Sequence, residues 1–303
     1  MNFKPVSVCD YAILKPFFSG HPYSLSVYSP ASIISWSYKA FKADYTIENG
    51  ELFIAGQTED RQENRHLILP LSKEKCYTPS ELHDIARRAG FNRYWYAPGD
   101  YLEKFDCSEL ESIFILDEQE GFGDYIYLTE DLINLTGNRF SKKRNLIHQF
   151  SREYILKDRV KVEGILPGNV EECLQFLEIW CEQHRCDVDQ ENNLACEKNA
   201  AITTLKNMSL LESKGIQIRI DGRISAFGIG SQLSKTTASL NFEKADPEIK
   251  GLYQFLDNEC AKRLFSGFLY VNKESDMNIP NLAESKQSYN PIHYIKSYSL
   301  TLR

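Results

Sequence analysis

Apolar and polar positions alternate along the second half of the chain with two periods, one typical of strands and one typical of helices. The stretch "VKVEGI" (residues 160–165) has the β-branched alternation of a strand. Residues 169–184 carry apolar side chains on one helical face, and residues 194–213 predict a second helix. Residues 215–245 then predict three successive strands, with Asp221 and Gly222 at the tight turn between the first two.

The remaining C-terminal residues predict two helices and two strands. Asp246 is expected to cap a helix that has Pro247 at its first position. The apolar stripe of this helix consists of Ile249, Leu252, Leu256, Cys260 and Leu264. A buried strand "FLYVN" (268–272), a short helix near residues 280–288 and a final strand "YIKSYSLTL" (294–302) complete the half.

The first half of the chain is less regular. It predicts helices near residues 7–18, 29–40 and 79–89, and a basic helix from Ser141 to about Tyr154. Its predicted strands lie near residues 52–55, 66–71, 93–97, 112–117 and 124–128. Strands followed by a helix therefore occur in both halves, which predicts two units, residues 1–158 and residues 159–303.

The order of the C-terminal half resembles the GNAT acyltransferase fold: strand, helix, helix, three strands, helix, strand, short helix, strand. In that fold the three-stranded meander leads into a helix whose amino terminus lies at the acyl-donor site. The resemblance implies an α/β (α+β) protein with tandem GNAT-like folds. Each unit would be a mixed, mostly antiparallel sheet flanked by helices.

Charge is distributed unevenly along the chain. The 303 residues are 42% hydrophobic, as in an ordinary globular protein, and the formal net charge is −7. Residues 139–161 hold eight Lys or Arg against Glu153 and Asp158, a local charge of +6 that leaves −13 elsewhere. Cations at the start of a helix are unfavourable by about 0.3 to 1 kcal/mol each, so these positions suggest either an anion site or side chains that extend into water. The candidate phosphate-binding residues are Arg139, Lys142, Lys143, Arg144 and Asn145.

Neither a membrane span nor a metal site is predicted. No apolar run approaches the roughly 20 residues that cross a bilayer, and the N-terminal stretch lacks a signal-peptide pattern, so we expect a cytoplasmic protein. The eight cysteines are expected to be reduced and mostly buried. Cys181, His184 and Cys186 lie close together in sequence, but no paired C-x-x-C motif or fourth ligand accompanies them.

Three segments together resemble the phosphatidylglycerol lysyltransferase C-terminal domain family, which is related in fold to the Fem-type aminoacyltransferases. They are "FKPVSVCD", "TGNRFSKKRNLIHQF" and "FLYVNKESDMNIPNLAESKQSYNP". The resemblance implies transfer of an aminoacyl group from charged tRNA to an amine or hydroxyl. The basic residues at the start of the 141–154 helix are the candidate site for that tRNA, and the acceptor would be a small molecule or a lipid headgroup. The chain differs from the lysyltransferases in having no membrane-spanning flippase part, so a lipid acceptor is less expected.

The last of these segments carries the candidate chemistry. Acyl transfer needs a group that takes the proton of the acceptor and donors that stabilise the developing oxyanion. Glu274 and Asp276 are candidate bases, and Asn272, Lys286 and Tyr289 are candidate donors. The same residue types are also common in turns and solvated ion pairs.

Two other functions remain open from the sequence. Aminoacyl transfer from tRNA requires no cofactor. The first alternative is an N-acyltransferase that uses coenzyme A or acyl-coenzyme A as the donor. Its pyrophosphate would meet the stretch "EIKGLY" (248–253), where Lys250 and Gly251 fit but Glu248 and Tyr253 depart from the GNAT pattern R/Q-x-x-G-x-G/A. The second is a noncatalytic binding protein that keeps the fold.

Overall fold

The chain forms two compact units. The computed structural model describes residues 1–37, 41–58, 64–72, 75–184 and 193–303. The first unit comprises Met1–Asp124, Glu274–Pro280 and Tyr294–Arg303, and the second comprises Tyr125–Lys273 and Asn281–His293. This division differs from the predicted boundary at residue 158, because residues 125–158 belong to the second unit and the C-terminal residues belong to the first.

The sheet of the first unit has seven strands. They are β1 (Lys4–Pro5), β2 (Phe41–Glu48), β3 (Glu51–Thr58), β4 (His66–Leu67), β5 (Arg93–Pro98), β6 (Phe114–Glu118) and β14 (Ser297–Leu302). The strand order is β1-β2-β3-β4-β5-β14-β6. Strands β2, β3 and β4 form an antiparallel meander, and β5 runs parallel to β4. The helices are α1 (Tyr11–Leu14), α2 (Pro30–Trp36), α3 (Pro79–Ala89), α4 (Gly99–Leu102) and α5 (Cys107–Ile113), with 3-10 turns at Val8–Asp10 and Lys15–Phe18.

The sheet of the second unit also has seven strands. They are β7 (Asp124–Leu128), β8 (Val160–Gly164), β9 (Lys214–Ile220), β10 (Arg223–Gln232), β11 (Thr237–Ala245), β12 (Tyr270–Asn272) and β13 (His293–Ile295), in the order β13-β7-β12-β11-β10-β9-β8. Strands β9, β10 and β11 form an antiparallel meander, and β12 runs parallel to β11. The helices are α6 (Thr129–Asn134), α7 (Ser141–Glu153), α8 (Val170–Gln183), α9 (Asn193–Lys206), α10 (Leu252–Leu264) and α11 (Pro280–Gln287), with 3-10 turns at Asn138–Phe140 and Ile155–Lys157.

The predicted fold class is therefore confirmed. In each unit a three-stranded meander is followed by a helix and then by a strand parallel to the third meander strand. The tight turn between β9 and β10 is also confirmed, because Asp221 and Gly222 both have positive φ, 50° and 81°. Such a turn matches the twist of the two strands that it joins.

Helices cover both faces of the second sheet. Phe227 and Gly228 are neighbours on β10, so their Cβ directions point to opposite faces. The Phe227 ring meets Phe176 of α8, whereas a Cβ at Gly228 would lie 2.4 Å from the Sγ atom of Cys260 on α10. Glycine at residue 228 thus allows α10 to approach the sheet closely. Tyr127, Phe150, Leu256 and Val271 belong to the apolar core on the α10 face.

Several predicted boundaries were wrong. The helix expected to start at Pro247 starts at Leu252, because Gly251 at φ 86° forms its N-cap and residues 246–251 form turns. The predicted strand 112–117 is the end of α5 followed by β6, and the final strand divides into β13 and β14, which lie in different sheets. Residues 38–40 of the helix expected over 29–40 lie outside the described residues.

Candidate functional site

Five polar side chains that are far apart in sequence meet on the α10 face of the second sheet. We call them the ionic cluster: Lys143, Glu243, Asp257, Lys273 and Tyr289. They come from α7, β11, α10, the residue after β12 and the segment after α11. Four of the five are buried, and Glu243 is half-buried. Charged groups in such a position need partners, since an isolated charge is expensive to bury.

Lys273 forms the central contact of the cluster. Its ammonium pairs with Oδ2 of Asp257, and the two side chains are 7% and 4% exposed. The same ammonium lies 4.1 Å from the ring centroid of Tyr289 and 5.2 Å from that of Tyr127. The Tyr289 hydroxyl also donates a hydrogen bond to Asp257. Burial, and then the negative charge of Asp257, raise the pKa of Tyr289 well above its usual range. The pair is therefore a buried ion pair with aromatic neighbours.

Lys143 approaches the same tyrosine ring from α7. Its Nζ atom donates a hydrogen bond to Oγ of Ser288 at 2.6 Å and lies 3.8 Å from the ring centroid of Tyr289. Burial and, to a smaller extent, the positive charge of Lys273 lower the pKa of Lys143 to about 8, while Asp257 and Glu243 oppose the shift. A lysine in this position can lose its proton near neutral pH.

Glu243 is the least satisfied member of the cluster. Its Oε1 atom is buried and has no hydrogen-bond partner among the described residues. Burial, and then the negative charge of Asp257, raise the pKa of Glu243 to about 8, while Lys273 and Lys143 oppose the shift. The carboxyl group is therefore largely protonated at neutral pH and can exchange a proton close to it.

The cluster combines groups suited to acid–base chemistry with groups suited to charge stabilisation. A carboxyl group whose pKa lies near the working pH can take a proton from a nucleophile and return it to a leaving group. Buried ammonium groups stabilise negative charge more strongly than exposed ones, because the surrounding medium screens them less. The arrangement thus suits transfer of an acyl group.

The sequence missed three members of the cluster, Glu243, Asp257 and Lys273. Each had a signal in the sequence: Glu243 lies within a predicted core strand, Asp257 adjoins the apolar stripe of the following helix, and Lys273 follows the strand "FLYVN". A charge within an otherwise apolar element indicates either an exposed face or a buried partner. No local pattern says which of the two applies.

The residues predicted in the loop after β12 are divided between the two units. Asn272, Lys286 and Tyr289 belong to the second unit, whereas Glu274 and Asp276 belong to the first. Tyr289 is part of the ionic cluster, and Asn272 is fully buried opposite Ile126 of β7. Nζ of Lys286 donates a hydrogen bond to the backbone oxygen of Lys273 at 2.6 Å.

Glu274 and Asp276 lie in a constrained turn of the first unit. Glu274 has φ of 58°, and Met277 and Asn278 have φ of 52° and 58°. The Oδ1 atom of Asp276 accepts a hydrogen bond from the backbone of Asn278 at 2.9 Å, as in an Asx turn. The backbone of Met277 donates to Gly121 at 2.8 Å. Their predicted role as bases stays a prediction.

Most of the candidate phosphate-binding cations contact the protein itself. Arg139 pairs with Asp131 at 2.6 Å. Arg144 donates to the backbone oxygens of Leu135 and Gly137, and so holds the turn before α7. Lys143 points into the ionic cluster. Lys142 and Asn145 are exposed. The predicted phosphate-binding role of the five residues stays a prediction, but the exposed positions suit it better than the buried one.

The amino terminus of α10 is covered by α7. Gly251 has φ of 86°, and a Cβ there would lie 2.3 Å from the backbone oxygen of Leu146 and 3.1 Å from the Cβ of Phe150. Gly251 therefore serves a close approach of two backbones, while Lys250 beside it is exposed. In the first unit the corresponding helix, α3, begins with a capping box in which Thr78 and Glu81 satisfy each other's backbone groups. Both helix starts therefore contact residues of their own unit.

The described residues contain no group of three or more His, Cys, Asp or Glu side chains that could hold a metal ion. His184 stacks on Trp180 with ring centroids 3.8 Å apart, and Cys181 is buried. Cys186, the third residue of the motif noted in the sequence, lies outside the described residues. Over the same ranges, no helix is both long and apolar enough to cross a membrane.

Comparison with known proteins identifies relatives over almost the whole chain. The sequence profile of the family described as "Phosphatidylglycerol lysyltransferase, C-terminal" matches residues 39–301. An uncharacterized protein of Mycoplasmoides gallisepticum is 22% identical over 293 residues, which cover 89% of this chain and 90% of that protein.

The solved structures that are similar to this chain include two that cover most of it. A conserved protein of unknown function from Bacteroides thetaiotaomicron has a TM-score of 0.88 at 25% identity, with all of both chains covered. The C-terminal domain of a putative lysylphosphatidylglycerol synthetase from Agrobacterium fabrum has a TM-score of 0.60 at 13% identity, covering 86% of this chain and 84% of that one. The second likeness establishes a shared fold.

Proposed function

Because the chain belongs to the phosphatidylglycerol lysyltransferase C-terminal family, we propose that it transfers an aminoacyl group from a charged tRNA to an amine or hydroxyl acceptor. The chemistry would take place at the ionic cluster. The observation that carries the proposal is the Glu243 carboxyl group, whose Oε1 atom is buried without a hydrogen-bond partner among the described residues. The charges of Lys143 and Lys273 act on this carboxyl group, and its burial raises its pKa.

In the proposed reaction Glu243 takes the proton of the acceptor as its nitrogen or oxygen attacks the ester carbon of the aminoacyl-tRNA. The ammonium groups of Lys143 and Lys273 stabilise the oxyanion that forms on the ester oxygen. When the ester bond breaks, the ribose oxygen of the tRNA leaves and receives the proton from Glu243. The aminoacyl group ends on the acceptor, and Glu243 returns to its carboxylate form.

The helix starts argue against coenzyme A as the donor. A pyrophosphate bound as in the GNAT pattern needs free backbone N–H groups at the start of the helix after the meander. Beneath the start of α10 lies the backbone of α7, and the start of α3 is occupied by its own capping box. An acyl-coenzyme A would need a different site on this fold.

The test is a transfer assay with bulk tRNA charged with radiolabelled amino acids. Phosphatidylglycerol vesicles serve as acceptor in one arm and small amines or alcohols in another, and acetyl-coenzyme A replaces the charged tRNA in a third. Loss of a general base lowers rates by about 10² to 10⁴. We therefore expect Glu243→Gln to lower turnover at least about a hundredfold at equal folded fraction.

Glu197→Gln is the matched control. Glu197 pairs at 2.8 Å with Lys244, the neighbour of Glu243 on β11, whose side chain contacts Trp180 on the opposite face of the sheet. This variant removes a carboxylate from a partly buried pair and keeps every side chain of the ionic cluster, and we expect it to keep its turnover. Equal turnover in wild type and Glu243→Gln would contradict the proposal. Turnover with acetyl-coenzyme A alone would favour the coenzyme A-dependent function, and donor binding without turnover in any arm would favour a binding protein.

The pH dependence gives an independent check. Turnover should rise towards pH 8 as Glu243 becomes a carboxylate, and it should fall above pH 8 as Lys143 loses its charge. Glu243→Gln should lose the rising limb of this profile. A turnover that does not change between pH 6 and pH 9 would exclude both groups from the rate-limiting step.

A further inference from the structure

Lys286 reaches from α11 to the backbone at the end of β12. Its Nζ atom donates a hydrogen bond to the backbone oxygen of Lys273 at 2.6 Å. The backbone oxygen of Lys286 in turn accepts a hydrogen bond from the hydroxyl of Tyr127 at 2.8 Å. Lys286 is therefore tied to β7 by its backbone and to the end of β12 by its side chain. A charge-assisted hydrogen bond of this length is among the stronger kinds.

The backbone of Lys273 lies where β12 ends. The ladder between β12 and β7 ends with the pair Asn272 and Ile126, and the backbone N–H of Lys273 still donates to Tyr125 at 3.0 Å. The next residue, Glu274, has φ of 58°, so the extended conformation stops there. Lys273 is thus fixed by the sheet at its N–H group, and Lys286 supplies the partner for its carbonyl group.

We infer that Lys286 is a positioning residue, which holds the backbone of Lys273 so that the Lys273 ammonium stays between Asp257 and the Tyr289 ring. The inference differs from the donor role predicted from the sequence, because the Nζ atom contacts the protein backbone. It rests on the proposed function only for its consequence in catalysis. The position of the Lys273 ammonium itself can be measured without any substrate.

The titration of Lys143 reports that position. The ammonium groups of Lys143 and Lys273 lie 3.8 Å and 4.1 Å from the centroid of the same ring, that of Tyr289, and the charge of Lys273 lowers the pKa of Lys143. Asp257 and Glu243 are the other charged groups that act on Lys143. A displaced Lys273 ammonium would repel the charged form of Lys143 less, so the pKa of Lys143 would rise.

The experiment is pulsed labelling of lysines with acetic anhydride between pH 6 and pH 11, read by mass spectrometry at Lys143. In wild type the midpoint of labelling is expected near pH 8. In Lys286→Met we expect it to rise by at least about half a pH unit, because charges near an interior change their interaction appreciably when they move by a few ångströms. Lys286→Arg keeps a cationic donor and should restore the wild-type midpoint.

Two further variants make the result specific. Tyr127→Phe removes the hydroxyl that holds Lys286 but keeps the aromatic ring near Lys273, so it should move the midpoint in the same direction and by less. It also keeps the inference testable if Lys286→Met does not fold. Lys262→Met, which removes the contact at 3.3 Å between the exposed Lys262 and Glu259, should leave the midpoint unchanged.

An unchanged midpoint in Lys286→Met would overturn the inference, and so would a shift that Lys286→Arg fails to reverse. If transfer is found, Lys286→Met should lower kcat and leave KM nearly unchanged, since the donor is not its contact. If wild type shows no transfer while the midpoint shifts as expected, the proposed function fails and the positioning role stands.

Discussion

Removal of the Lys273 ammonium should be among the most destabilising changes in the second unit. Lys273→Met keeps a long side chain but leaves the carboxylate of Asp257, 3% exposed, without its ion-pair partner. Loss of one partner of a buried pair costs about 3 to 5 kcal/mol, because the remaining charge stays buried and unpaired. Lys143 also acts on Asp257, so we expect a loss near the lower end, about 3 kcal/mol.

The same reasoning predicts that a second substitution rescues the first. Lys273→Met combined with Asp257→Asn removes both charges but keeps an acceptor for the Tyr289 hydroxyl. Replacement of a buried pair by neutral groups is often nearly neutral for stability. We therefore expect the double variant to recover most of the loss, to within about 1 to 2 kcal/mol of wild type.

Urea unfolding followed by Trp180 fluorescence measures these differences in the second unit. The chain has three tryptophans, and Trp36 and Trp95 belong to the first unit, so a Trp36→Phe, Trp95→Phe background leaves Trp180 as the reporter. Lys157→Met, which removes an exposed pair with Glu153, is the control and should cause no resolvable change. A loss below about 1 kcal/mol in Lys273→Met, or a double variant as unstable as the single one, would refute the argument.

Three other outcomes follow from single contacts. Gly251→Ala should lower the melting temperature measurably, since φ is 86° and the added Cβ would lie 2.3 Å from the oxygen of Leu146; an unchanged melting temperature would contradict the close approach. Glu243 has a raised pKa in the folded state, so its proton stabilises the fold fully below about pH 4, and this contribution is lost as the pH rises to 8. Urea unfolding at several pH values should therefore show wild type losing stability relative to Glu243→Gln over that range. Parallel stability curves for the two proteins would be inconsistent with the raised pKa. For tRNA binding, Lys142→Ala should reduce the slope of log affinity against log salt by about one and Lys143→Ala should change it little, because the second side chain is buried; equal effects would oppose this distinction.

The second unit could be predicted largely from its sequence, because its elements are long and have one clear period each. Helix α7 was expected from Ser141 to about Tyr154 and ends at Glu153, and the β9–β10 turn was placed correctly at Asp221 and Gly222. The start of α10 was wrong because Asp246 and Pro247 have the chemistry of a helix start but form a turn. The N-cap residue is Gly251, where the backbone of α7 leaves no room for a Cβ atom. Sequence periodicity does not report a contact of this kind.

The first unit was less predictable from its sequence, in part because several of its helices are short. The prediction missed strand β2 (Phe41–Glu48), although its apolar and polar residues alternate as in a strand. Helices α4 and α5 have only four and seven residues and do not complete an amphipathic pattern. Short elements like these are fixed by tertiary contacts more than by local preference.

The ionic cluster is harder still to predict, because its members lie far apart in sequence and meet only in the folded chain. Lys143 contacts Ser288 and Tyr289, which lie 145 and 146 positions further along the sequence. The stability of the fold does not explain why such groups are buried, since apolar side chains of similar volume would serve it as well or better. The proposed reaction would explain it, because it needs a proton acceptor beside fixed positive charge, and burial raises the pKa of Glu243 and strengthens the field of the two lysines. Under this proposal, the features that make the cluster unfavourable for folding are the ones that acyl transfer requires.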